Sequence, residues 1–295
     1  MQCQANSSVN KTDLFTKCTV YLTLLSYVRV MDVFKRNNVT IKGQGQKPMM
    51  FAHGFGCGQQ MWRYIWPAFE KEYKIILFDY VGSGMSDTTS YNPERYSNLN
   101  GYAQDVLDIC ETLDLKDCIF VGHSVSCVIG LLASIKAPER FDRLVMVGPS
   151  AKYIDDQAYV GGFSQADIAE LLDTMEKNYI GWANFLGPAI MQNEDRPELA
   201  QELTESFCST DPVIARQFAK ATFLSDNRAD LGKVRHPALI MQCSDDIIAP
   251  VQVGEYMHEQ MPGSVYRLLD ATGHCPHLSA PEETVHIIKE FLAEQ

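Results

Sequence analysis

The stretch Gly122-His123-Ser124-Val125-Ser126 constrains this 295-residue chain more than any other. An apolar run, Cys118-Ile119-Phe120-Val121, leads into it, and a second, Val128-Ile129-Gly130-Leu131-Leu132-Ala133, leads out. The pattern sets a serine on a tight turn between a buried strand and a buried helix. Such a turn, a nucleophile elbow, holds the serine in a strained backbone conformation and lifts its hydroxyl clear of the sheet. Strand and helix pass close together beside it. Small residues are therefore required two positions before the serine and two after. Gly122 and Ser126 hold those positions, Ser126 standing where glycine is commoner.

One pentapeptide is a weak signal, but three further stretches supply what a nucleophilic serine needs. His53-Gly54-Phe55-Gly56 follows the apolar run at 49–52. Glycines let the backbone turn its amides toward a developing oxyanion, which must meet preorganised donors. The N–H groups of Phe55 and Val125 are the expected pair. A later run, Leu239-Ile240-Met241, continues into Asp245-Asp246 and reaches Pro250. Either carboxylate is a candidate to orient a histidine. Gly273-His274-Cys275-Pro276-His277 follows the last strand-like run. His274 is placed to take the serine proton and return it to the leaving group. His277 reads as a packing or hydrogen-bonding neighbour.

Serine, then acid, then histidine is the chain order of α/β-hydrolases. The rest of the sequence agrees. Strand-like runs at 39–41, 49–52, 75–78, 119–121, 144–147, 239–241 and 265–269 lack strict alternation, as strands buried on both faces do. Helical segments are expected at 59–70, 100–113, 126–136 and 282–293. The expected fold class is α/β, a mostly parallel sheet flanked by helices. Residues 31–150 and 226–295 would form its core. Residues 151–225 contain no convincing strand and read as four helices, a lid inserted between elbow and acid. Ser164 would cap the first, with Asp167 in an imperfect capping box. Tyr179 opens the second, Pro197 the third, and Asp211-Pro212 the fourth. Of the lid's apolar residues Phe163, Leu171, Tyr179, Trp182, Phe185, Phe207, Phe218 and Phe223, some should face the serine and make an apolar pocket.

A formal net charge of −12 without a basic run argues against nucleic-acid or anionic-membrane partners. Nine cysteines, an odd number with several inside apolar segments, read as buried free thiols and a cytoplasmic setting. No spacing suggests a metal site, and no cofactor is expected; Gly82-Ser83-Gly84 lacks a dinucleotide fingerprint and reads as a turn beside the pocket. Asn6, Asn10 and Asn38 begin short glycosylation-type triplets that chance explains. Residues 18–28 are apolar but too short and broken to span a bilayer. Residues 1–30 read as a poorly ordered or artefactual extension.

From about Met31 onward the chain resembles the RsbQ-type bacterial stress hydrolases, and is similar also to the plant strigolactone and karrikin receptors. The resemblance rests on Gly-His-Ser-Val-Ser, His-Gly-Phe-Gly and Gly-His-Cys-Pro-His, on 76–84 and 102–108, and on the lid stretches 176–182 and 207–212. It accounts for Ser126. The family pattern places the acid four residues before the proline, which selects Asp246 over Asp245. The resemblance implies a catalytic triad of Ser124, Asp246 and His274 and a closed apolar pocket under a four-helix lid. It implies a hydrolase of a small hydrophobic ester or lactone, acting as a positive regulator of a stress-response pathway. A PAS-domain serine phosphatase is the implied partner. The alternatives are a metabolic carboxylesterase or carbon–carbon hydrolase without a partner, and a ligand-binding receptor with slow or vestigial catalysis. A haloalkane dehalogenase would need a carboxylate where Ser124 stands.

Overall fold

The structure, a computed structural model, describes residues 32–294. The expectation for residues 1–30 lies outside them. Seven strands form one sheet: β1 (Thr40–Lys42), β2 (Lys47–Ala52), β3 (Tyr73–Leu77), β4 (Cys118–His123), β5 (Phe141–Val147), β6 (Ala238–Asp245) and β7 (Ser264–Thr272). Their spatial order is β1-β3-β2-β4-β5-β6-β7. Only β1 runs antiparallel to its neighbour; the other pairings are parallel.

Successive side chains on a strand point to opposite faces, so the apolar runs feed two cores. Met50, Ala52, Ile76, Phe120, Met146 and Ile240 pack toward helices α1 (Leu99–Thr112) and α2 (Val125–Lys136). Met49, Phe51, Ile75, Val121, Val147 and Met241 pack toward Trp62, Ile65 and Phe69 and toward Ile288 and Phe291 of the C-terminal helix. This two-sided burial explains why the strand sequences do not alternate.

Between β5 and β6 the chain forms four helices, α3 (Gln165–Lys177), α4 (Tyr179–Met191), α5 (Pro197–Ser209) and α6 (Pro212–Phe223). They share an apolar core of their own, including Ile168, Trp182, Leu203 and Phe207. Ser164 and Asp167 make a full reciprocal capping box at the start of α3. The chain ends with α7 (Val251–Gln260), the short α8 (Pro276–Ser279) and α9 (Pro281–Ala293).

Two local expectations fail. Residues 59–70 do not form an α-helix; they make two 3₁₀ turns, Gln59–Trp62 and Trp66–Ala68. Trp62, Ile65 and Phe69 carry the helical spacing and are buried. Pro67, however, has no N–H to continue a helix, and its ring disfavours the helical conformation before it. Conversely, α7 has no counterpart among the expected helices. Its buried stripe is narrow, Val253, Gly254 and Met257, and Pro250 serves as its N-cap.

Candidate active site

Ser124 sits between β4 and α2 with φ 56° and ψ −125°, a left-handed conformation costly for any side chain but glycine. The strain is held from both sides. Its amide donates to the carbonyl of Val147 on β5 at 2.8 Å. Gly122 faces the first turn of α2 so closely that a Cβ there would lie 2.8 Å from backbone atoms of Ser126. The steric demand read from the sequence is met in this contact.

Three elements converge on the serine. Its hydroxyl donates to His274 Nε2 at 2.7 Å. His274 Nδ1 donates to Asp246 Oδ2 at 2.7 Å. Asp246 Oδ1 accepts the backbone N–H groups of Ile248 and Ala249, at 2.8 and 3.2 Å. The carboxylate thus has one oxygen fixed by the loop and the other aimed at the imidazole. All three residues are buried, whereas Asp245 is exposed. The arrangement fits Nδ1-protonated His274 with an unprotonated Nε2 toward the serine, the tautomer a general base requires.

Phe55 and Val125 are brought to the same place. Their N–H groups donate to no other described residue, and Val125 begins α2, where helix amides have no internal partner. A Cβ at Gly54 would lie 2.5 Å from the His123 imidazole, so only glycine lets this turn pass the elbow. The preceding His53 is fully buried. Its Nδ1 donates to the Gly54 carbonyl at 2.8 Å, and its Nε2 accepts the Tyr80 N–H at 3.2 Å. Burial lowers its pKa, so it stays a neutral bracket for the turn.

Below the site lies a layer of neutral imidazoles. His123 Nε2 donates to the His274 carbonyl at 2.8 Å. His277 packs its ring between Trp62 and His123, with centroids at 4.8 and 4.3 Å. Burial, reinforced by neighbouring histidines, pushes the pKa of His123 far below the usual value and that of His277 down to about 3. His123, Cys275 and His277 place ligand-type atoms within 4.8 Å of one another, all buried. The seven described cysteines are free, and six are buried.

Above the serine is a small, partly open cavity of about 30 Å³. Phe55, Tyr153, Ile190, Leu203, Phe207 and Phe223 are among the residues that line it. Of the insertion aromatics, Phe207 and Phe223 reach it, Trp182 and Phe218 pack on the Phe55 ring, and Phe185 is 76% exposed. Tyr153 and Thr222 also line it. No sequence pattern singled them out: Tyr153 precedes the insertion helices, and Thr222 sits among alanines and aromatics. The Gly82-Ser83-Gly84 turn does not line this cavity. Gly82 packs under Ile214 and Gly84 against the Asp79 carboxylate, which accepts the N–H groups of Gln59 and Met85 at 2.7 and 2.9 Å. No helix among the described residues is long and apolar enough to cross a membrane.

A mostly parallel sheet, a strained serine after its central strand, and a buried acid–histidine relay from two later loops define one class of hydrolase scaffold. The chain belongs to the alpha/beta hydrolase family, whose model matches residues 49–287. It is 37% identical to a strigolactone esterase of Pisum sativum, over 90% of this chain and 98% of that protein. It is 37% identical to a karrikin insensitive 2 receptor of Petunia hybrida, over 87% of this chain and 95% of that one. Among solved structures, a hydrolase from Oleispira antarctica is 45% identical and superposes with a TM-score of 0.88, covering 90% of this chain and 98% of its own. The protein is an α/β-hydrolase-fold enzyme with esterase-type relatives.

Proposed function

We propose that the protein is a serine hydrolase of a small hydrophobic ester or lactone. The observation that carries this reading is the unbroken chain Asp246–His274–Ser124, in contact at 2.7 Å on both sides, beneath a small, mostly apolar cavity. Ser124 Oγ attacks the carbonyl carbon while His274 Nε2 takes its proton. The N–H groups of Phe55 and Val125 receive the negative oxygen of the tetrahedral intermediate. The intermediate collapses as His274 returns the proton to the leaving oxygen, which in a lactone stays tethered to the acyl group. Water, deprotonated by His274, then releases the acid and frees Ser124. Asp246 keeps the imidazole in the required tautomer and balances its charge.

The finer reading is regulatory. The product or the acylated state reports a ligand to a partner protein, in the manner of the RsbQ-type stress regulators. A PAS-domain serine phosphatase is the partner this reading names, and the cytoplasm its location. Support comes from relatives named as a strigolactone esterase and a karrikin insensitive 2 receptor, and from the free, mostly buried described cysteines, which suit a reducing compartment. A cavity of about 30 Å³ also favours infrequent turnover, because a substrate has to displace the roof before it can bind.

The test is hydrolysis of p-nitrophenyl acetate and labelling by a fluorophosphonate, with wild type and Ser124→Ala side by side. Turnover and labelling confined to the wild type are expected. Equal labelling of both proteins would remove Ser124 from the chemistry.

A further inference from the structure

Two hydroxyl-bearing residues, Tyr153 and Thr222, line the Ser124 cavity. Thr222 Oγ1 is buried and bonds to no described atom, while the buried Tyr153 hydroxyl has only the Ser124 hydroxyl beside it. Both residues line the cavity, and each is 1% exposed. The remaining wall away from the triad is mostly apolar.

Thr222 lies in the last turn of α6. A helical threonine ordinarily satisfies its hydroxyl on the carbonyl one turn back. This one does not, although Ser225 makes that kind of bond to the Thr222 carbonyl at 2.8 Å. The next residue, Phe223, meets the Tyr153 ring at a centroid distance of 5.1 Å. The two hydroxyl-bearing residues therefore border one aromatic wall. Burial also holds the Tyr153 phenol protonated, its pKa far above the ordinary value, so it remains a donor.

Buried polar groups in native proteins find partners. For Thr222 that partner is a guest in the cavity it lines, and Tyr153 lines the same cavity. We propose that Tyr153 and Thr222 form a hydrogen-bonding subsite that selects esters or lactones carrying a second oxygen acceptor beyond the scissile carbonyl. The proposal rests on the hydrolase reading above and narrows its substrate class. A ligand without that oxygen leaves the desolvated Thr222 hydroxyl unpaired, and sites of this kind reject such analogues strongly.

Binding separates this proposal from the hydrolase reading. Ser124→Ala is titrated with p-nitrophenyl 4-oxopentanoate and with p-nitrophenyl pentanoate, following quenching of tryptophan fluorescence. The keto ester should bind about tenfold or more tightly than its plain counterpart. Adding Thr222→Val or Tyr153→Phe should each bring the two affinities to within about threefold. Thr222→Ser, which keeps the hydroxyl, should retain the preference, and thermal melting checks that each variant is folded. A preference that survives either substitution, or no preference at the outset, overturns the subsite. Failure of the hydrolase reading has a different signature: no turnover with Ser124 present, while the binding preference persists.

Discussion

Ser126 Oγ donates to the backbone carbonyl of His53. The bond ties the first turn of α2 to the end of β2, and so joins the two segments that present the Val125 and Phe55 amides. A second contact, with Tyr80 Oη at 3.1 Å, anchors the same hydroxyl. The serine that replaces the commoner glycine is thus a brace across the proposed oxyanion site.

Removing the brace should cost both stability and rate. Ser126→Ala leaves the buried His53 carbonyl without its partner, a loss of about 1–3 kcal/mol in chemical denaturation. The Phe55 amide loses its support, so kcat for p-nitrophenyl acetate should fall about tenfold with little change in KM. Unchanged kcat would show that the turn holds its shape alone.

The two neighbouring aspartates should separate sharply. Asp246→Asn removes the carboxylate that fixes the His274 tautomer and should lower kcat by about 10⁴. Asp245→Asn changes an exposed side chain and should stay within about twofold of wild type. Steady-state kinetics on both variants decides the matter; a larger effect at Asp245 would reassign the acid.

Gly122→Ala tests the elbow itself. The added methyl meets backbone of Ser126 at 2.8 Å, and backbone cannot swing away as a flexible side chain can. A loss of about 1–3 kcal/mol is expected from overpacking. Thermal melting should show it, together with reduced fluorophosphonate labelling of Ser124.

Acid should destabilise the fold through its buried imidazoles. The folded-state pKa of His277 lies at about 3, below the unfolded value of about 6.5. The unfolded chain then binds more protons between those values, so stability is complete above pH 6.5 and is lost as pH falls toward 3. At pH 5 the loss from His277 is about 2 kcal/mol, and His123 shifts in the same direction. Urea denaturation at pH 7 and pH 5 should reveal the drop. His277→Gln should reduce it, and at pH 7 the variant loses only the packing on Trp62.

Much of this architecture is written locally in the chain. β4, the elbow and α2 follow from one apolar–small–apolar pattern, and the order of Ser124, Asp246 and His274 follows from three strand ends. Residues 59–70 misled because burial repeats at helical spacing while Pro67 forbids the helix. α7 was hidden because only a narrow stripe of it is buried. Tyr153 and Thr222 were illegible for a different reason. Their place in the cavity wall, and the missing partner of Thr222, are properties of packed three-dimensional space, not of spacing along a sequence.

The smallness of the cavity has a kinetic consequence. A chamber of about 30 Å³ cannot hold an ester of drug-like size, for which sites run to about 300 Å³ or more. A ligand of that size therefore binds only if the roof moves, and its measured affinity then includes the cost of that movement. Substitutions on the outer surface of α4 or α5 that loosen the roof should tighten all ligands by a common factor and leave their ranking untouched. In such a protein the roof sets how much can enter, while the walls set what is kept.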